Sequence, residues 1–395
     1  MEKPTKIGLL SGITRNVIVL GIASLLSDAS REMIFPLLPL LLVNGLAAEK
    51  SIVGLIEGIA ESTASILKVF SGWFSDKIGK RKPIIFSGYG ISTFAKPFLA
   101  LATSWFHVLA VRFADRVGKG IRTSPRDAMI ADSTDEKVRG KAFGFHRSMD
   151  TLGAMIGPSI AFLLFPLFGY RNIFLLATIP GVIAVFLILA FVKERERPIR
   201  KNNPQPIKFS FKSLSKEFKI FVILAALFAL GNFSYAFIIL RAQDVGITPE
   251  LIPLLYLLFN TVYALFSIPA GILSDKIGRK PVIALGYTTF GMMCLGFAVA
   301  TSSISAIVMF ALYGIFNAIT DTVQRAFVSD LTIAELRATA LGTFHAAVGM
   351  AALPASIVAG VLWQYFGATA TFLYGAALAF LSTILLIILL KNKGS

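Results

Sequence analysis

The sequence predicts an all-α polytopic membrane protein, with twelve transmembrane helices in two pseudo-symmetric six-helix bundles. Three observations predict it. Of 395 residues, 55% are apolar and only 15% charged, with a mean hydropathy of +0.75, where a soluble chain carries roughly 25% charge. Apolar runs of about 20 residues recur from end to end, each long enough to cross ~30 Å of hydrocarbon at 1.5 Å per residue. The second half also repeats landmarks of the first at a constant spacing. Backbone in lipid must satisfy its own hydrogen bonds, so the runs must be helices. The short alternating segments of a membrane barrel are missing.

Taken in order, the runs predict helices over about 17–43, 52–73, 83–103, 105–128, 141–166, 172–192, 219–240, 251–273, 281–300, 304–328, 340–365 and 369–390. Short turns such as Asn44-Gly45 and Phe168-Gly169-Tyr170 join most of them. One connector is long, basic and polar and carries Pro198, Pro204 and Pro206. It divides the chain into an N-terminal bundle (1–192), a linker (193–218) and a C-terminal bundle (219–395).

The net charge of +16 is a topology signal. Outside the helices, Lys and Arg gather at the N-terminus, at 76–82, in the central linker, at 276–280 and at Lys391 and Lys393. The opposite side holds Lys50, Arg171 and Arg241. This asymmetry places both termini and the linker in the cytoplasm of a multi-pass inner-membrane protein. It reflects contact with anionic membrane lipid rather than nucleic acid. The N-terminus has no hydrophobic stretch followed by a small-residue cleavage site, so no cleaved signal peptide is expected. The lone Cys294 allows no intrachain disulfide, and no histidine pairing or thiol cluster points to a metal or other cofactor. No phosphate-binding loop, nucleophile elbow or metalloprotease helix is present, so an enzyme is not expected.

The repeat is explicit. GWFSDKIGKRKP begins at Gly72 after the second helix, and GILSDKIGRKP begins at Gly271 after the eighth. Asp132, Arg139 and Gly144 recur as Asp330, Arg337 and Gly342, and Phe168-Gly169 as Phe366-Gly367. A glycine at position 72 or 271 lets a helix end approach a neighbour. Asp76 or Asp275 can cap the next turn or pair with a cation on an adjacent helix. Gly79 or Gly278 permits a left-handed turn, and Lys80 and Arg81, or Arg279 and Lys280, then meet the headgroups.

These two loops resemble the signature loop of the major facilitator superfamily, and helix count, linker and repeat extend the resemblance over the whole chain. It implies alternating access, with the loops acting as latches in the outward-open state, and a chain that functions as a monomer. Gly153-x-x-x-Gly157-Pro158 in helix five is similar to a motif of drug–proton antiporters in the superfamily. It equally reads as a small-residue packing face with a bend. Arg112 with Gly118 and Gly120 resembles the family's arginine motif in helix four. Here Asp115 and Arg116 intervene, a departure from the drug-exporter pattern.

Ionisable groups at membrane depth cost at least ~2.5–3.5 kcal/mol each and mark pathways. The first half carries the basic residues Arg31, Lys68, Lys96, Arg112, Arg116, Lys119, Arg122, Arg126 and Arg147. Its acids are Asp28, Glu32, Glu57, Glu61, Asp115, Asp127 and Asp150. The second half has Asp321 and Arg325, with a polar lining that includes Asn232, Tyr235, Asn260, Tyr263, Asn317 and Gln324. Arg112 should lie about 10 Å and Arg116 about 17 Å into helix four, and both share a face with Lys119. Asp28 and Glu32 share a face of helix one, ahead of a bend at Pro36 and Pro39. The family resemblance places helices one, four, seven and ten around the central cavity. The alternative is a buried, self-neutralising network joining helices one, two, four and five.

The expectation is proton-coupled export of a small drug-like or amphiphilic solute, with the proton gradient as energy source and Asp28, Glu32 and Asp150 as proton carriers. Phe233, Phe237 and Phe316 would contact its apolar body. An organic-anion exchanger or importer using Arg31, Arg112, Arg116 and Arg147 is the alternative. A divalent-metal transporter and a non-transporting receptor or lipid scramblase on the same fold stand behind these.

Overall fold

A computed structural model describes residues 12–135, 138–194, 214–333 and 336–390. Most of the central linker and the terminal basic residues Lys391 and Lys393 lie outside the described residues. Span one is the helix Arg15–Ile34, continued after a break by Leu38–Leu40 and a wide turn over Leu41–Gly45. The break falls at Pro36, where the missing N–H and the fixed ring stop an α-helix. Span two is Lys50–Ile78. Span three is Lys82–Ala95, tightened over Lys96–Leu101 at Pro97. Span four is Trp105–Asp132. Spans five and six occupy Arg139–Leu176 and Thr178–Phe191, with the reversal taken by Gly169 at φ 66°.

The second half follows the same plan. Span seven is split into Lys216–Gly231 and Tyr235–Asp244, a break the unbroken apolar run 219–240 had concealed. Ser234 caps its second piece by accepting from the Ala236 N–H. Spans eight, nine and ten are Ile252–Ile277, Arg279–Val299 and Ser303–Asp330. Spans eleven and twelve share Arg337–Leu389, folded at Gly367 with φ 83°. Positive φ at both hinges explains why the repeated Phe-Gly pair marks them.

Among the described residues, seven helical stretches are long and apolar enough to cross a membrane, two of them being the double spans hinged at Gly169 and Gly367. The stretches that fall short are spans one, two and four. They carry most of the ionisable residues at membrane depth, so the departure from simple hydropathy itself points toward the site. Large apolar side chains such as Leu167, Ile268, Val299 and Ile388 are exposed on the outer surface, as a lipid-facing belt requires.

Span one packs on five and six, two on four, and three on four and six; in the second half eight packs on ten, and nine on ten. The halves meet where span two lies against eleven and five against eight. Glycines permit the first contact: a Cβ on Gly54 would collide with the Ser356 carbonyl, and one on Gly360 with the Lys50 backbone. Ser62 Oγ donates to Gly349 O at 2.8 Å, and Lys50 N–H to Gln364 Oε1 at 3.1 Å. The seam closes from Lys50 to Ser65. Beyond it Lys68, Gly72, Gly342 and His345 line open space. The interior is thus sealed at the Lys50 end and open toward the end carrying the repeated loops.

Candidate functional site

The cores of the halves differ chemically. Buried charge in the first half includes Glu32, Glu57, Lys96, Arg112, Asp115, Arg116 and Arg122. The second half has an aromatic core in which Phe233, Phe237 and Phe316 are almost fully buried. Those three rings pack against Phe290, Phe372 and Trp363 and line no described cavity. In this conformation the three rings are part of the packed core.

Ion pairs hold spans two and four together, and Arg122 and Arg126 of span four donate to Ser27 and Ser24 of span one. Arg112 grips Glu57 at 2.7 and 2.8 Å with both side chains buried. The bidentate fork suits the planar carboxylate. Asp115 lies 3.7 Å from both Arg112 and Arg116 and accepts from the Ser92 hydroxyl. Arg116 is fully buried, and its guanidinium nitrogens make no hydrogen bond among the described residues. Its ion pair with Glu61 spans 3.4 Å. Lys96 donates to Ser30 Oγ at 2.8 Å, and Ser30 in turn to Ala177 O. These contacts join spans two, three and four, and tie span three through Ser30 of span one to the residue before span six.

Span five brings span one into position. A Cβ on Gly153 would strike Leu25 O and crowd Asp28, and one on Gly157 would strike Ala29 O and Glu32. The Gly153–Gly157–Pro158 element is thus a close-packing face in this conformation, and it aims Asp28 and Glu32 inward. Arg31 binds Glu32 at 2.5 Å and Asp28 at 3.4 Å.

Two connected chambers result. The inner one, about 190 Å³, is lined from the first half by Asp28, Arg31, Glu32, Arg147 and Asp150. Tyr256, Phe259, Asn260, Tyr263, Asn317 and Asp321 face them from the second half. The outer one, about 700 Å³, widens toward the loop end. There the cations Arg31, Lys68, Lys119, Arg122, Arg126, Arg147 and Arg325 outnumber the carboxylates Asp28, Asp127 and Asp150. Arg126 is tied to Asp127 at 2.9 Å, and His146 lies 3.6 Å from Asp150. A polar chain crosses between the halves: Arg147 donates to the Tyr263 hydroxyl, which donates to Asp321 Oδ2 at 3.1 Å.

Of the residues singled out from the sequence, Asp28, Arg31, Glu32, Arg147, Asp150, Asn317 and Asp321 meet at the inner chamber. Glu57, Glu61, Arg112, Asp115, Arg116, Asn232 and Tyr235 line neither chamber. Sequence reading passed over Tyr256 and Phe259. Their signal was present, since Tyr256, Phe259, Asn260 and Tyr263 recur at i, i+3, i+4 and i+7 and share one helix face. Phe35 was also missed: Arg31, Arg112 and Arg116 lie over its ring at 5.8, 4.8 and 5.1 Å. Among the described residues no group of three or more His, Cys, Asp or Glu is placed to hold a metal ion.

The repeated loops adopt matching structures. Gly79 stops span two at φ 72°, and Gly278 stops span eight at φ 94°. Arg81 binds Asp76 at 3.0 Å within the loop and Asp132 at 2.9 Å on span four. Arg279 binds Asp275 at 2.6 Å and Asp330 at 3.1 Å on span ten. The contact across helices is made by the arginine, whereas Asp76 and Asp275 stay within their loops. Gly72 sits tightly on Ser124, while Gly271 has only ordinary contact with Thr322. Glu194 accepts from the Arg81 and Lys82 N–H groups at 3.1 and 2.7 Å, placing negative charge at the positive end of span three. Burial lowers the Arg81 guanidinium from its ordinary value, against the opposing pull of Asp76 and Glu194.

Comparison with known proteins agrees with this architecture. The chain is 45% identical, over 95% of both sequences, to an uncharacterized MFS-type transporter of Methanocaldococcus jannaschii. It is 24% identical to the multi-drug resistance efflux pump PmrA of Streptococcus pneumoniae, over 68% of this chain and 69% of the pump. The fold matches that of the nucleoside transporter NupG with a TM-score of 0.80 at 15% identity, over 95% of this chain and 100% of that one. The family model for the Major Facilitator Superfamily matches residues 20–240 and again 220–395. With twelve spans among the described residues, paired signature loops and a polar interior between two halves, the chain belongs to the major facilitator superfamily of membrane transporters, which are not enzymes.

Proposed function

We propose that this protein is a secondary transporter that moves a small organic anion across the inner membrane by alternating access. The observation that carries the reading is the wall of the outer chamber, where cations outnumber carboxylates along the whole approach to Arg31 and Arg147. Arginine is suited to this role because it stays charged when desolvated and binds carboxylate or phosphate through a fork. With both termini cytoplasmic, as the basic loops imply, the open end faces the cytoplasm and the seam between spans two and eleven is the closed outer gate. The protein functions as a monomer in lipid, and a gradient drives any uphill movement.

Proton-coupled export of an amphiphilic solute is the second reading. Asp28 and Asp150 on the inner chamber, with His146 at 3.6 Å from Asp150, favour it, as does the similarity to a multi-drug efflux pump. Weight shifts to the anion because Asp28, Glu32 and Glu57 are already held by Arg31 and Arg112.

Proteoliposomes loaded with a pH dye separate the readings. The anion reading expects exchange of labelled carboxylates that falls at least tenfold in Arg31→Gln and Arg147→Gln. Unaltered flux of a cationic dye such as ethidium in both variants, with proton movement lost in Asp150→Asn, would replace it with drug–proton exchange.

A further inference from the structure

The two chambers carry opposite charge. The inner one sets the carboxylates of Asp28, Glu32, Asp150 and Asp321 against Arg31 and Arg147, and Arg31 is already paired with Asp28 and Glu32. Such a lining repels an anion. The outer one sets seven cations against three carboxylates. Some of this charge cancels locally, Arg126 with Asp127 at 2.9 Å and Arg325 with Asp321 at 4.0 Å. Over the linings of both chambers together, seven cations face five carboxylates, so the connected space holds a surplus of two positive charges.

The surplus is concentrated on spans two and four. Lys68 and Lys119 line the outer chamber, and among the described residues neither ammonium group makes a hydrogen bond or an ion pair. Glu61 attracts both lysines, but it is held by Arg116 at 3.4 Å and does not line the chamber. Arg122 stands one turn beyond Lys119 on the same helix face and is 5% exposed. Its Nη2 donates to Ser27 Oγ at 3.2 Å, while its buried Nη1 has no hydrogen-bond partner among the described residues. A desolvated guanidinium with a free nitrogen, beside two unpaired ammonium groups, calls for an acceptor that the chain itself does not supply. A cleft lined this way draws anions in from its open end, and about 700 Å³ is ample for a small organic molecule.

Resting on the anion reading above, we propose that the substrate is a dicarboxylate held in the outer chamber by Lys68, Lys119 and Arg122. Two negative charges match the surplus, whereas a monocarboxylate leaves one cation uncompensated at a depth where unpaired charge is costly. The three cations stand on two helices rather than around one point, which suits two separate carboxylates. The acid-lined inner chamber bounds the site on its deep side.

The test is calorimetric titration of the intact purified protein in detergent at pH 7.5 with succinate, its monoamide succinamate and the uncharged succinamide. The three share one skeleton and differ in charge. The expected result is binding of succinate about ten- to hundredfold tighter than succinamate, the scale of one hydrogen bond to a charged group, with succinamide at least tenfold weaker again. Lys119→Gln or Lys68→Gln reduces the surplus to one and should bring succinate to within about threefold of succinamate. A preference for succinate that survives both changes overturns the placement on spans two and four. Equal affinity for succinate and succinamate overturns the dicarboxylate assignment and leaves the anion reading intact, as does propane-1,2,3-tricarboxylate binding more than tenfold tighter than succinate. Equal binding of succinate and succinamide, or no binding of any compound, overturns both. The comparison among ligands on the unaltered chain decides the charge of the substrate even if a lysine variant does not fold.

Discussion

Replacing Glu57 by Gln should destabilise the first half severely, although the change removes no atom of bulk. Glu57 receives Arg112 through contacts of 2.7, 2.8 and 3.1 Å, and the side chains are 1% and 4% exposed. An uncharged amide cannot neutralise the guanidinium, so Arg112 would be left as a buried cation with only Asp115, 3.7 Å away. Breaking a buried pair by removing one partner costs about 3–5 kcal/mol. Because Gln keeps one acceptor oxygen, the lower end of that range, about 3 kcal/mol, is expected for Glu57→Gln. The double change Glu57→Leu with Arg112→Met removes both charges and should recover most of the loss, since apolar replacements of buried pairs are often neutral or stabilising. Equilibrium unfolding in mixed micelles, run as a double-mutant cycle, measures both terms. A Glu57→Gln protein as stable as its parent, or a double variant weaker than the sum of the singles, would refute the view that this pair is structural.

The remaining predictions concern the halves and their loops. Tyr263→Phe removes the hydroxyl linking Arg147 to Asp321; hydrogen bonds to charged groups contribute about 1.5–3 kcal/mol, so the exchange rate should change at least tenfold while anion affinity stays within about twofold. Tracer exchange alongside binding reads this, and an unchanged rate would remove the chain's role between the halves. Gly54→Val places a side chain into the Ser356 carbonyl and should prevent closure of the seam and abolish transport. Gly140→Ala, with nothing within 4 Å of its new Cβ, should leave transport intact. Arg81→Ala should cost about 1–3 kcal/mol in thermal stability, because Arg81 is largely buried against Asp76 and Asp132. Its twin Arg279→Ala should cost under about 1 kcal/mol, because Arg279, Asp275 and Asp330 are more exposed; equal losses would show that burial is not what separates them.

Legibility in the sequence followed the range of the forces involved. Hydropathy, the repeated loops and the Phe-Gly hinges are local patterns, and each appears in the structure where the sequence places it. The break in span seven was hidden because Asn232 and Phe233 fall within an apolar run, where only the cap from Ser234 shows that the helix restarts. Asp28, Arg31, Glu32, Arg147 and Asp150 could be picked out because a charge in hydrocarbon needs a reason wherever it sits. Which of the charges line the chambers depends on the rotation of each helix about its axis, and that is set by its neighbours.

By itself the sequence determined that this chain spans a membrane twelve times, that it is duplicated, and that its charge is concentrated in one half. Those features follow from the solvent and from covalent order alone. Only the tertiary structure decided that Arg112 and Glu57 are buried against each other, while Arg147 and an Arg31 paired with Asp28 and Glu32 line the chambers. It also decided that Phe233 is packing whereas Phe259 is wall. Partners so far apart along the chain meet where glycines let helices approach closely, Gly120 against Leu67 and Ala64, Gly153 against Leu25 and Gly157 against Ala29, and that approach fixes which face of each helix looks inward.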